Sequence, residues 1–215
     1  KKNRDKLVLG VTGGIASGKS EIRRTLESAG CLGIDADLVG HDLMRYGEPA
    51  YQAVVSRYGS AVLRAEEEGG PTEIDRSRLG KIVFSDEGEL RWLESVMHPV
   101  IAERIRSMIQ ISERPVVIEA IKLMDSELKA LCQYNWLAFA GESVQIRRLM
   151  ENRGYSYETA ADRVEVQKSI DWGSYQFDAV INTAVPLTEL RAKVLALWTE
   201  YLRRRLDEPS ELLIQ

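Results

Sequence analysis

The sequence predicts an α/β fold, a five-stranded parallel sheet covered on both faces by helices. Three observations carry this. Five short apolar runs, "KLVLGVTG", "CLGID", "RPVVIEAI", "NWLAFA" and "FDAVINT", alternate with segments of helical periodicity, the pattern of strands joined by crossovers. The first run ends in "VTGGIASGKS" at residues 11–20, a glycine loop that leads into a helical pattern. The stretch from about 38 to 110 is largely helical and too long for a simple crossover, so it is expected to form a lobe beside that loop.

Each element follows from local signals. "KLVLGVTG" breaks at Gly13 and reads as a buried parallel strand. In "SEIRRTLESAG", Ile22, Leu26 and Ala29 share a helical face, and Gly30 is a C-terminal stop. "CLGID" is a second strand ending at the pair Asp35 and Asp37. Within the lobe, Pro49 opens a helix that Gly59 closes. "RAEEEGGPTEID" is a polar loop, and Asp86 with Glu89 forms a capping-box pattern before Leu90, Leu93 and Met97. Pro99 is expected to interrupt that helix before Ile101, Ile105 and Ile109 resume it. After the fourth strand, two short helices meet at Gly154. After Pro186, the residues Leu187, Leu190, Val194, Leu197 and Tyr201 mark a long closing helix. Trp92, Trp136, Trp172 and Trp198 are read as core or interface residues.

Gly13, Gly18, Lys19 and Ser20 match G-x-x-x-x-G-K-[ST] in full, with a strand before and a helix after. Glycines let backbone N–H groups turn inward around phosphate oxygens, and the helix N-terminus adds partial positive charge. Lys19 is expected to reach the β- and γ-phosphates, and the Ser20 hydroxyl to ligate Mg²⁺. Such a loop does not name the reaction. "DLVG" at 37–40 fits the D-x-x-G of GTPases, but no Asn-Lys-x-Asp segment follows to read guanine.

Asp35 and Asp37 stand at the carboxyl end of a strand, where open α/β sheets bind ligands. A carboxylate there serves as a base toward a hydroxyl or holds Mg²⁺ through water. An Asp pair at a strand end equally suits a plain turn. Arg147, Arg148, Arg153 and Arg163 crowd the two-helix segment after the fourth strand. They fit a cationic lid over a γ-phosphate, and they also fit a solvated face of Glu–Arg pairs. His41 and His98 are read alone as packed or capping residues before they are read as catalysts.

Bulk properties narrow the partners. A formal charge of −4 argues against nonspecific nucleic-acid binding. Two cysteines, Cys31 and Cys132, make neither a disulfide framework nor a zinc spacing, which suits a reducing cytoplasm. No apolar run is long enough to span a membrane, and the charged opening "KKNRDK" is expected not to be a signal peptide.

Together these pieces resemble the dephospho-coenzyme A kinase family over nearly the whole chain. The marks are "VTGGIASGKS", "IDADLVGH", "LGKIVFSD", His98-Pro99, "QIRRL", Gln167 and "DAVIN". The resemblance implies a three-layer P-loop kinase fold with a helical substrate-binding lobe and a short helical lid. It implies a nucleotide-binding core at 1–37, 111–144 and 168–215, a coenzyme A-binding lobe at 38–110 and a lid at 145–167. The implied reaction is ATP- and Mg²⁺-dependent phosphorylation of the ribose 3′-hydroxyl of dephospho-coenzyme A. Asp37, Lys19 and Arg148 are then the implied catalytic residues. ATP is implied to meet Gly13, Gly14, Ile15, Ala16, Ser17, Gly18, Lys19, Ser20, Glu21, Arg148 and Arg153. The acceptor is implied to meet Thr12, Asp35, Asp37, His41, Leu79, Lys81 and His98. A cytoplasmic monomer or weak homo-oligomer is expected.

Four features depart from the family pattern, one of them the short segment between Gln167 and "DAVIN", which carries Trp172. Asn152 stands where a second lid arginine is usual, with Arg153 one step along. Lys122 replaces a proline after the third strand, and Glu21 stands where threonine is frequent. Two other readings remain open at this point: another P-loop small-molecule or nucleotide kinase, and a relative that binds nucleotide or coenzyme A without catalysis.

Overall fold

The computed structural model of the protein describes residues 6–64 and 72–207. The charged opening up to residue 5 and most of the polar loop read over 64–75 lie outside them. The first element among the described residues is β1 (Val8–Thr12), every residue of which is buried. α1 (Lys19–Ser28) follows and buries Ile22, Thr25 and Leu26. It closes where Gly30, at φ 94°, donates to Glu27 O and Cys31 donates to Leu26 O. That left-handed turn is the stop expected of glycine at this position.

β2 (Leu32–Asp35) runs directly into α2 (Ala36–Leu43). The lobe continues with α3 (Pro49–Tyr58), α4 (Arg76–Ser85) and α5 (Glu87–Ile111). The chain returns through β3 (Val116–Glu119) and β4 (Tyr134–Phe139). Next come α6 (Glu142–Arg153) and α7 (Tyr157–Glu165), which turn on Gly154 at φ 65°. β5 (Ala179–Asn182) and α8 (Leu187–Asp207) complete the fold. The strands lie in the order β2-β3-β1-β4-β5, all parallel.

Alternation along β1 splits the core in two. Leu9 and Val11 face α1 and α8, packing with Ile22, Leu26, Leu190, Val194 and Trp198. Val8 faces the other way, with Ile34, Val116, Ile118, Ala102 and Ile105. The helical lobe has its own core of Tyr51, Val54, Val62, Ile74, Leu79 and Val83.

Two local expectations are corrected. Pro99 does not interrupt the lobe: α5 is one helix of 25 residues with Pro99 inside it. A proline costs a helix one hydrogen bond and roughly 3 kcal/mol. Met97 on one side, and Ala102 and Ile105 on the other, are packed against α2 and the sheet, and this burial holds the two halves in line. The capping box is half formed. Asp86 accepts from Gly88 N and Glu89 N, but the Glu89 carboxylate turns to Arg57 at 2.7 and 2.8 Å and to the Tyr58 hydroxyl at 2.7 Å. The Arg57 guanidinium also lies 4.4 Å over the Trp92 ring.

The hydrogen bonds from Arg57 and Tyr58 pull the Glu89 carboxyl down to about 2. A depressed carboxyl stabilises the fold above its unfolded value near 4.3, and that contribution is lost as pH falls through the folded value. Glu89→Gln is therefore expected to lower Tm at pH 7, with the gap from wild type closing as pH drops from about 4 towards 2. Thermal unfolding followed by circular dichroism across that range checks it. A gap that does not change with pH would leave the carboxylate without this role.

Candidate active site

Parallel register brings the functional groups together. Val11 pairs with Glu119 on one side and with Trp136 on the other, and Glu119 pairs with Asp35. The carboxyl ends of β2, β3 and β1 therefore finish at one level. The glycine loop leaves β1 there, as expected for a ligand site in an open α/β sheet.

The loop needs its glycines for two separate reasons. Gly13 has φ 144° and Gly18 has φ 96°, both in the region that side chains avoid. Space is also lacking: a Cβ on Gly13 would stand 2.2 Å from Ala138 O, and one on Gly18 would stand 2.8 Å from Thr183 Oγ1. Ala16 takes a left-handed φ of 54° despite its methyl group, a strain of about 1–2 kcal/mol. Gly18 caps α1 without a side-chain hydrogen bond, so the first N–H groups of the helix face the loop.

Lys19 is buried, and its Nζ donates to Gly13 O at 2.9 Å and Gly14 O at 2.8 Å. Burial pushes the lysine pKa down, while Glu119, Asp37 and Asp35 oppose that shift. The Ser20 hydroxyl donates to Glu119 Oε1 at 2.6 Å. Arg23 donates to the other carboxylate oxygen, Oε2, at 2.8 Å, and to Glu27 at 2.7 Å. Its guanidinium also lies 4.0 Å from Asp35.

The two aspartates divide their work. Asp35 caps α2, accepting from Asp37 N and Leu38 N at 3.1 Å each. Asp37, in the first turn of α2, leaves its carboxylate open to the cleft. Desolvation between the cleft walls and the nearby Asp35 charge raise its pKa, and Lys19 partly offsets them. His41, one turn along, is held below its ordinary pKa, first by burial and then by Arg76, against the pull of Asp37. These residues line a cleft of about 680 Å³, with Glu94, Met97, His98, Ile101, Arg153 and Arg163 on the facing side.

The lid grips the outside of the loop. Arg148 donates to Ala16 O at 3.1 Å, Thr183 Oγ1 at 3.0 Å and Thr183 O at 2.6 Å. Gln167 accepts the Ile15 N–H at 2.6 Å. Leu149, Ala160 and Val164 form a small lid core against Ile15 and Ala16. Beside it, Ala16, Gly18, Ser20, Glu21, Arg148, Asn152, Arg153 and Thr183 border a second cavity of about 550 Å³.

Not every anticipated residue faces these cavities. Lys19, Ser20, Asp35, Asp37, His41, His98 and Arg153 converge on the cleft. Thr12 is buried with its hydroxyl engaged by Ile121 O at 2.9 Å. Leu79 is buried in the lobe core, and Lys81 is exposed on α4. Glu21 borders the second cavity while pairing with Arg191 at 2.9 Å. Lys122 pairs with Glu94. Arg23 escaped the sequence reading because its spacing to Glu27 looks like an ordinary helical i,i+4 pair. No local signal reveals its second partner, a strand residue 96 positions away.

A phosphate loop at the switch of a parallel sheet, walled by a helical lobe and an arginine-bearing lid, defines a P-loop kinase of small molecules. Comparison with known proteins narrows the class. The dephospho-CoA kinase family profile matches residues 7–186. A dephospho-CoA kinase of Carboxydothermus hydrogenoformans is 33% identical over 194 residues, covering 88% of this chain and 92% of the relative. A solved structure from Thermus thermophilus superposes with a TM-score of 0.75 at 25% identity, covering 92% of this chain and 98% of that one. The dephospho-CoA kinase structure from Campylobacter jejuni shares the fold, with a TM-score of 0.57 at 23% identity over 90% of this chain and 96% of that one. The chain belongs to the dephospho-CoA kinase family.

The loop geometry predicts that Gly13→Ala is destabilising by about 2 kcal/mol or more, because a methyl group meets both a forbidden φ and the Ala138 carbonyl. Chemical unfolding measures the loss, and calorimetric titration with ATP is expected to show binding abolished. Wild-type stability in this variant would contradict the close approach.

Proposed function

We propose that Asp37 is the general base that accepts the proton of the ribose 3′-hydroxyl of dephospho-CoA as the γ-phosphoryl group of ATP is transferred to it. The family is one of ATP-dependent phosphotransferases with dephospho-CoA as acceptor. The observation that carries the residue assignment is the open Asp37 carboxylate, which shares one cleft with Lys19 and Ser20. Its neighbour Asp35 is occupied as a helix cap, so only one of the pair is free for proton transfer. Desolvation raises the pKa of Asp37, which strengthens it as a base.

The acceptor oxygen forms a bond to γ-phosphorus as the bond from γ-phosphorus to the β–γ bridging oxygen breaks, and the hydroxyl proton passes to Asp37. Lys19 leaves its two loop carbonyls to meet the phosphate charge. Arg153, which borders both cavities, and Arg163 supply further positive charge from the lid side. Arg148 already holds Ala16 O and Thr183, so we assign it chiefly to shaping the loop and bordering the nucleotide cavity.

Mg²⁺ fits this donor set. Ser20 Oγ and Glu119 Oε1 are hard oxygens 2.6 Å apart at the edge of the loop. Among the described residues no group of three His, Cys, Asp or Glu stands ready to cage a metal. Mg²⁺ in kinases typically takes one or two protein oxygens and completes its shell with phosphates and water. When bound, it neutralises charge developing on the transferred phosphate. Arg23 and Ser20 orient the carboxylate of Glu119 for it.

The working parts follow as we propose them: a nucleotide core at 1–37, 111–144 and 168–215, an acceptor lobe at 38–110 and a lid at 145–167. No helix among the described residues is long and apolar enough to cross a membrane. We place the reaction in the cytoplasm, where this acceptor chemistry and free thiols are compatible.

Turnover of dephospho-CoA with ATP and Mg²⁺, coupled to ADP release, tests the reading; no product from well-folded protein would overturn it. Asp37→Asn is expected to lower kcat by about 10²- to 10⁴-fold while the affinity for ATP stays close to wild type. The acid limb of the kcat/KM profile should lie above the ordinary aspartate range and disappear in that variant. Glu119→Gln is expected to raise the Mg²⁺ concentration for half-maximal rate by about 10- to 100-fold. Mn²⁺ binding to the ATP complex, followed by electron paramagnetic resonance, should weaken in parallel.

A further inference from the structure

Phe84 is an aromatic residue of the cleft with no part in this chemistry. Phe84 sits on α4 and is 79% exposed, although Leu79 and Val83 of the same helix are buried in the lobe core. It borders the cleft that holds Asp37 and Lys19, and it also borders an adjoining, more apolar cavity of about 600 Å³. Asp37, Glu94, His98, Ile101 and Ile121 are common to both spaces. Gly80, one turn earlier, leaves room beside the ring: a Cβ there would stand 3.6 and 3.7 Å from two of its carbons. The ring thus lies along its own helix instead of entering the lobe core, and a bare aromatic surface remains at the cleft.

An exposed aromatic in a polar cleft gains free energy when a flat apolar group covers it. The acceptor offers such a group in a fixed place. A ribose that presents its 3′-hydroxyl to Asp37 carries its base on C1′, two carbons around the same ring. The base therefore arrives beside the ribose and within the same cleft. We propose that Phe84 is the stacking platform for the adenine of the acceptor and a determinant of acceptor specificity. This rests on the reading of the cleft as the dephospho-CoA site and adds which side chain recognises the base.

Stacking of a base on an aromatic side chain is worth about 5- to 150-fold in affinity when the ring is removed. Phe84→Ala is therefore expected to raise KM for dephospho-CoA by roughly 10- to 100-fold, while KM for ATP stays within about twofold. Phe84→Leu, which keeps apolar bulk but no ring, should behave like Phe84→Ala. Phe84→Tyr should return KM close to wild type. As a probe of the other half of the acceptor, 4′-phosphopantetheine should inhibit wild type and Phe84→Ala equally. Such exposure at position 84 keeps the fold of these variants intact, and Tm checks that directly.

An unchanged KM for dephospho-CoA in Phe84→Ala would overturn the proposal. So would a wild-type-like Phe84→Leu, which would leave bulk and not stacking as the cause. A loss of phosphopantetheine inhibition in Phe84→Ala that matches the loss for dephospho-CoA would assign the ring to the arm and not the base. A wild-type enzyme that does not phosphorylate dephospho-CoA would instead overturn the parent reading, so the two failures are distinct.

Discussion

The contact of the glycine loop with the ends of β4 and β5 is the constraint on which the rest of the structure depends. Gly13 lies against Ala138 O and Gly18 against Thr183, with no room for a methyl group at either. That pressure bends the chain between β1 and α1 so that amides converge on one small volume. Arg148 then ties Ala16 and Thr183 together from outside, and Gln167 holds the Ile15 N–H. The loop is shaped by the sheet on one side and by the lid on the other.

Opposite charges are interleaved around that loop. Lys19 and Arg23 lie among Asp35, Asp37 and Glu119. Arg23 and Ser20 hold Glu119 by separate oxygens, and Asp35 spends itself on the start of α2. One carboxylate, that of Asp37, is left open, and its pKa moves upward. The acids are thus set apart by geometry instead of by residue type: Glu119 and Asp35 are held by partners, while Asp37 faces the cleft.

Much of this was legible in the sequence. The loop, the five strands and the glycine stops at Gly30 and Gly154 are local features, decided by which backbone angles and side chains each short segment tolerates. Pro99 was misleading because a local rule about helix interiors met a helix buried on both sides of the proline. Glu89 was misleading for a related reason: the capping-box pattern is real, but Arg57 from another helix offers its carboxylate a charged, bidentate partner.

By itself, the sequence determined the order of elements, the phosphate loop and the family, because these depend on neighbours along the chain. Only the tertiary structure decided that Asp35 caps while Asp37 is free, that Leu79 turns inward and Phe84 outward, and that Arg23 reaches Glu119. The last of these depends on which strands lie side by side. Parallel pairing of β2, β3 and β1 sets three strand ends at one level, and residues nearly a hundred positions apart become partners there. A one-residue change of that register would turn Glu119 to the opposite face of the sheet and leave the loop without its carboxylate.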